Sequence, residues 1–210
     1  MKICVCIPTR GVIFARTILS SILNPELPKD SIIIIVEGLP IPDAHNECIR
    51  RALATDCTHI LFVEEDVEIP THGIQTMIHA GSRGHRYVAI DYLVRKNITT
   101  VQYADGKPWY TGFGCTLFDR KLFEKEFTDP WLTDQYDVMI IKERPLQYKI
   151  QKRSQKDKDT YGKYDVYFGT MCKEKGIAIS VIPDMICQHL RVSQWERKEV
   201  NEGTFDIYTV

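Results

Sequence analysis

Three short apolar runs in the first third of the chain, each followed by residues at helical spacing, constrain the fold more than any other feature. Residues 2–8 are rich in β-formers and stop at Pro8-Thr9-Arg10-Gly11, after which Ile18, Leu19, Ile22 and Leu23 recur at helical spacing. Residues 31–37 give a continuous Ile/Val run, the pattern of a parallel strand buried on both faces. Pro42-Asp43 opens a second helix, with Asp43 as N-cap and Ala44, Cys48 and Ala52 on one face. Residues 58–63 form a third buried strand that runs into Glu64-Glu65-Asp66, and Pro70-Thr71 caps a helix stopping near Gly81. Strands alternating with helices predict a parallel, doubly wound arrangement with right-handed connections.

After residue 86 the pattern changes. Residues 87–94, 98–110 and 111–118 look like strands separated by turns, with Asp105-Gly106 a hairpin signal. The expectation is therefore an α/β fold whose central sheet is mixed, mostly parallel and flanked by helices. Residues 128–163 carry two prolines, many charges and weak periodicity, which predicts a long excursion or flap; a helix around 165–175, closed by Gly176, and a strand at 177–182 follow. At 210 residues a single domain is expected.

Hydrophobic residues make up 44% and charged residues 26%, an ordinary globular balance. Seven scattered cysteines in apolar stretches read as reduced thiols, which predicts a cytoplasmic compartment. The N-terminal apolar run ends at Pro8 without a cleavage site, and the longest aliphatic run, at 32–36, is far short of the roughly 20 residues a membrane span needs. No membrane partner is expected.

Glu37 ends the second strand, Glu64 to Asp66 end the third, and Asp165 begins a late helix. In open α/β sheets ligands bind outside the carboxyl ends of the strands, so these acids fall where a site forms. Such a cluster suits a diphosphate leaving group whose charge a divalent cation neutralises; Asp66 offers a carboxylate and His189 an imidazole, a donor set for Mn2+ or Mg2+. Gly112 and Gly114 bracket Phe113 on a strand, which suggests either close backbone approach to a ligand or a β-bulge. Arg191 follows His189 and could clamp phosphate, and Trp109 and Trp131 could form a stacking wall. The chain lacks both a GxGxxG and a GxxxxGK, which excludes dinucleotide-binding oxidoreductases and P-loop NTPases.

The segments CVCIPTRG, ILFVEEDVEIP, YTGFGCTLFDRKLF and YDVYFGTMCKEKGIAISVIPDMICQH, in that order over about residues 3–190, resemble the GT-A glycosyltransferases of the large inverting, family-two type. In the last segment Asp165, Phe168, Glu174, Gly176, Pro183 and His189 occupy the family's pattern. The resemblance implies a GT-A-like single domain over 1–210: a nucleotide-binding half (1–85), an acceptor and catalytic half (86–190) and a tail (191–210). It implies transfer of a sugar, with inversion, from a nucleotide-sugar donor such as a UDP-sugar to an acceptor hydroxyl. Thr9, Arg10, Glu37 and Asn46 would contact the donor, Asp66 and His189 would hold the metal, and Asp165 would be the general base. Glu64-Glu65-Asp66 stands where the family has Asp-x-Asp, and Tyr164-Asp165 where it has Glu-Asp. With the longer side chain, Glu64 is expected to reach a ribose hydroxyl or a metal-bound water, and Glu65 is grouped with it on the donor side.

The same resemblance places the acceptor beside the segment before Asp165, and residues 142–163 carry eight Lys or Arg against three acids in a chain of net charge -1. Lys152, Arg153 and Lys156 interleaved with Tyr148, together with Trp131, suit a polyanion with stacking bases, and the expected acceptor is a hydroxymethylated base in DNA. The alternatives are a glycan or other small acceptor, a sugar-nucleotide-forming nucleotidyltransferase, and a non-catalytic nucleotide- or glycan-binding module.

Overall fold

A computed structural model of the chain describes residues 1–95, 98–142, 145–153 and 164–190. Along the chain run β1 (Ile3–Thr9), α1 (Ala15–Ser20), β2 (Ile32–Glu37), α2 (Asp43–Leu53), β3 (His59–Val63), β4 (Val67–Glu68), α3 (Gly73–Ser82), β5 (Tyr87–Arg95) and β6 (Ile98–Thr99). The second half holds the hairpin β7 (Gln102–Ala104)–β8 (Lys107–Tyr110), β9 (Cys115–Asp119), the hairpin β10 (Tyr136–Lys142)–β11 (Gln147–Lys152), α4 (Tyr164–Glu174) and β12 (Ile179–His189). One sheet has the order β2-β1-β3-β9-β5-β12-β4, with β6 paired to β5. β1 is parallel to β2 and β3, and β12 is parallel to β5; β9 runs antiparallel between β3 and β5. The sheet is mixed, as the change of pattern after residue 86 predicts.

The side-chain period of two sorts the sheet into two cores. Cys4, Cys6, Ile60 and Phe62 pack with Ala44, Cys48 and Ile49 of α2 and Phe168 and Cys172 of α4. Ile3, Val5, Ile7, Leu61 and Val63 pack with Ile74 and Met77 of α3. Each large apolar side chain so buried contributes about 1.5–3 kcal/mol. All seven cysteines are buried free thiols. Among the described residues no helix is long and apolar enough to cross a membrane.

Four local expectations are corrected and one, the excursion at 128–163, is refined. β2 is an edge strand, so Ile34 and Val36 are buried while Ile33 and Ile35 remain 36% and 43% exposed. Asp43 is the first helical residue of α2 and its side chain caps nothing. The N-terminus of α3 is capped from a distance, by Glu26, whose carboxylate accepts from the backbone N–H of His72 (3.0 Å) and Gln75 (3.1 Å). The excursion contains the β10–β11 hairpin, and the last strand runs on past Pro183 to His189, with its register shifted between Val181 and Ile186. That extension sets His189 opposite Val67 of β4, beside the acidic turn.

Candidate active site

A cleft of ≈ 340 Å³ opens at the carboxyl ends of β1 and β3. The turn after β3 is tight: Glu64 N–H donates to the Gly114 carbonyl (3.1 Å), and Val67 N–H donates to the Glu64 carbonyl (3.1 Å). This turn divides its three acids. The carboxylate of Glu65 reaches the β1–α1 loop, where it accepts from Thr9 Oγ1 (2.7 Å), Arg10 N–H (2.7 Å) and Arg10 Nε and Nη2 (2.9 and 2.7 Å). Burial raises the pKa of Glu65, but the hydrogen bonds from Thr9 and Arg10 outweigh it and hold the group below its ordinary value. Glu65 therefore shapes the loop that presents Thr9 and Arg10 to the cleft; its acceptor oxygens are engaged within the protein.

Asp66 and His189 meet across the β4–β12 pairing, with His189 Nε2 at 3.4 Å from Asp66 Oδ2. The Leu190 N–H donates to the Asp66 carbonyl (2.7 Å) and locks the end of β12 to the turn. Glu64 lines the same cleft, where burial and then the Asp66 charge push its pKa up to about 7. Two donors this close match neighbouring ligands of an octahedral ion, which stand about 3 Å apart at bonds near 2.1 Å. A divalent cation would also relieve the charge crowding felt by Glu64, so the residues fit Mn2+ or Mg2+. Among the described residues no group of three or more His, Cys, Asp or Glu is placed to hold a metal, so the remaining positions would fall to ligand and water oxygens.

Asp165 enters the cleft from the first turn of α4. Burial raises its pKa to about 6 against the opposing hydrogen bond from the Val166 N–H to Oδ1 (2.8 Å). The general-base role expected of this residue is compatible with that placement. Leu39, Ile41 and Ala44 supply an apolar part of the cleft lining.

Sequence reasoning missed the apolar lining residues Leu39 and Ile41, and with them Tyr92. Its hydroxyl donates to Glu64 Oε2 (3.3 Å) and accepts from the Gly114 N–H (3.3 Å), and its ring lies 5.7 Å from that of His189. It also explains the two glycines: a Cβ on Gly112 would stand 2.4 Å from Tyr92 Oη, and one on Gly114 2.5 Å from Tyr92 Cζ. Gly114 makes room for this ring rather than for a ligand, whereas Gly112 both abuts the ring and lines the cleft. Tyr92 falls on the same strand face as Ile90, but no spacing rule ties residue 92 to residues 112 and 114.

The other expected site residues divide. Asn46 is buried away from the cleft lining and clasps Leu132, donating from Nδ2 to its carbonyl (2.8 Å) and accepting its N–H at Oδ1 (2.9 Å). Its expected donor contact is replaced by that structural role. Glu37 is exposed at the end of β2, with Oε1 3.0 Å from where a Gly11 Cβ would stand, so it borders the β1–α1 loop. Tyr148 donates to Glu174 (3.1 Å) and stacks on Trp109, and Arg153 lies 3.8 Å from Asp137 with both side chains 9% exposed. Neither is presented as a free acceptor contact. Trp131 is half-buried with its Nε1–H donating to the Phe123 carbonyl (2.8 Å), and Lys152 is exposed on β11. Lys156 and Arg191 lie outside the described residues.

No family model matches the chain, and no curated protein matches it. Among solved structures, A197 from STIV superposes with a TM-score of 0.61 at 17% identity, over 90% of this chain and 85% of that one. TarS 1-349 from S. aureus superposes at 0.55 and 11% identity over 94% of this chain; the match spans 63% of that fragment. The same fragment in complex with UDP-GlcNAc gives 0.49 at 12% identity, over 91% and 61% of the two chains. Identities this low speak to architecture. With a mixed sheet, helices on both faces and an acidic turn at the carboxyl end of β3, the chain has a GT-A-like α/β fold in a single domain.

Proposed function

We propose that the protein is a metal-dependent glycosyltransferase that uses a nucleotide-sugar donor, a UDP-sugar first among the candidates. The observation that carries this reading is the convergence in one cleft of the Asp66–His189 pair, the Thr9-Arg10 loop and the buried carboxyl of Asp165. The GT-A-like fold shared with TarS, a protein crystallised in complex with UDP-GlcNAc, accords with it. In this reading Leu39 and Ile41 cover a flat base, and Arg10, with its guanidinium oriented by Glu65, faces the phosphates. Asp66 and His189 would hold Mn2+ or Mg2+, which when bound supplies Lewis-acid neutralisation of the departing diphosphate. Tyr92 holds the Glu64 carboxyl in place beside that pair. Ionised Asp165 takes the proton from the acceptor hydroxyl as that oxygen attacks the anomeric carbon, giving inversion.

The acceptor in this reading is a hydroxyl on a glycan or other small molecule. A hydroxymethylated base in DNA is less well supported, because Arg153 and Tyr148 are engaged within the protein. A screen of UDP-sugars and other nucleotide sugars for Mn2+-dependent hydrolysis tests the proposal: turnover of one donor, lost with EDTA, is the expected result. Donor binding without turnover would leave a nucleotide-binding module instead.

A further inference from the structure

A second hollow, of ≈ 520 Å³, lies on the other side of α4. Asp165 faces the donor cleft, whereas Tyr167, Met171 and Lys175, four residues apart, line the hollow. Asp165 and Tyr167 are two positions apart, which at about 100° per residue sets them on opposite sides of the helix. The two cavities have no described lining residue in common.

The walls are aromatic and fixed in advance. Tyr136 of β10 and Tyr167 of α4 stack with centroids 5.0 Å apart and planes 15° apart, joining the hairpin to the helix. The Trp131 indole is held by its bond to the Phe123 carbonyl. All three rings are half-buried and line the hollow. Thr133 and Gln135 add neutral donors and acceptors.

Charge narrows the ligand. The only charged side chains among the described lining are Glu126 and Lys175, of opposite sign. Glu126 pairs with Arg86 (3.0 Å), and Lys175 sits over the Phe127 ring, 5.5 Å from its centroid. A balanced lining of this kind has no excess of cations with which to hold a phosphate chain. Flat apolar rings edged by hydroxyl and amide groups suit an uncharged ring with C–H faces and equatorial hydroxyls, and the volume is that of an ordinary ligand pocket.

We propose that this hollow is a carbohydrate-binding subsite that holds a sugar residue of a neutral glycan, stacked on Trp131, Tyr136 and Tyr167, away from Asp165. Naming that glycan the acceptor rests on the glycosyl-transfer reading; the binding itself does not. Anchoring the glycan outside the cleft would raise the effective concentration of its reacting hydroxyl.

The test is titration of the full chain with maltohexaose, cellohexaose and chitohexaose without donor, followed by heat and by tryptophan fluorescence. A parallel arm uses single-stranded DNA at low and moderate salt. At least one hexasaccharide is expected to bind, and Tyr167→Ala and Gln135→Ala should each weaken it about tenfold. Both variants should keep wild-type UDP affinity and donor hydrolysis. Gln135 is exposed, so its truncation does not threaten folding. Failure of all three sugars to bind, or equal binding by both variants, overturns the proposal. Salt-sensitive DNA binding that Tyr167→Ala abolishes also overturns it, in favour of a nucleic-acid site. Sugar binding that persists while UDP fails to bind would sink the glycosyl-transfer reading and leave the subsite standing.

Discussion

Asp165 is held in an environment that disfavours the state its proposed chemistry requires. Burial raises its pKa to about 6, so turnover should rise with pH through about 6 and level off above it, as base catalysis demands. Asp165→Asn keeps an acceptor for the Val166 N–H and should lower kcat about a hundredfold or more with little change in UDP affinity. Equal loss of kcat and UDP affinity in a pH titration of that variant would argue for a binding role instead. Glu64 belongs to the same class. A folded-state pKa raised above the unfolded value gives stability that is present below the unfolded pKa and lost as pH rises through the folded one. For Glu64 that window runs from about 4 to about 7. In metal-free protein, Glu64→Gln should therefore raise stability by about 1 kcal/mol or more at pH 8, and by less at pH 5, in urea melts at the two values.

The elements hold these groups through contacts that local spacing does not reveal. Asn46 shows the problem: its place in a DAHNEC helix resembles a donor-binding stretch, yet both ends of its amide bind Leu132, 86 residues away. Asn46→Ala should cost about 1–3 kcal/mol in stability while UDP affinity stays near wild type, which thermal melts and calorimetry can separate. Gly169 is similar: a Cβ there would stand 2.4 Å from Tyr110 Cβ and 2.8 Å from the Trp109 carbonyl, so α4 lies directly on β8. Gly169→Ala should push the helix off that strand and lose about 1–3 kcal/mol, with kcat falling as Asp165 shifts. What was legible in the sequence was periodic or terminal: the alternation of β1, β2 and β3 with helices, the Asp105-Gly106 hairpin, and acids directly after strands. The edge position of β2, the length of β12 and the Tyr92 wedge depend on which strands become neighbours, and no local pattern encodes that.

At the scale of the whole molecule, the sheet order explains why residues so far apart in sequence share one cleft. β1 and β3 are adjacent and parallel, so their ends place Thr9-Arg10 beside Glu64-Glu65-Asp66, and β12 returns antiparallel to β4 to add His189. Leu190 N–H on the Asp66 carbonyl fixes that return. Loss of one donor of the pair should be graded by what replaces it: water can stand in for an imidazole more readily than for a carboxylate that also carries charge. The decisive measurement is calorimetric titration of UDP with Mn2+ and with EDTA, on wild type, Asp66→Ala and His189→Ala. The account predicts Mn2+-dependent UDP binding that Asp66→Ala abolishes and His189→Ala weakens; UDP affinity indifferent to Mn2+, or unchanged in Asp66→Ala, would contradict it.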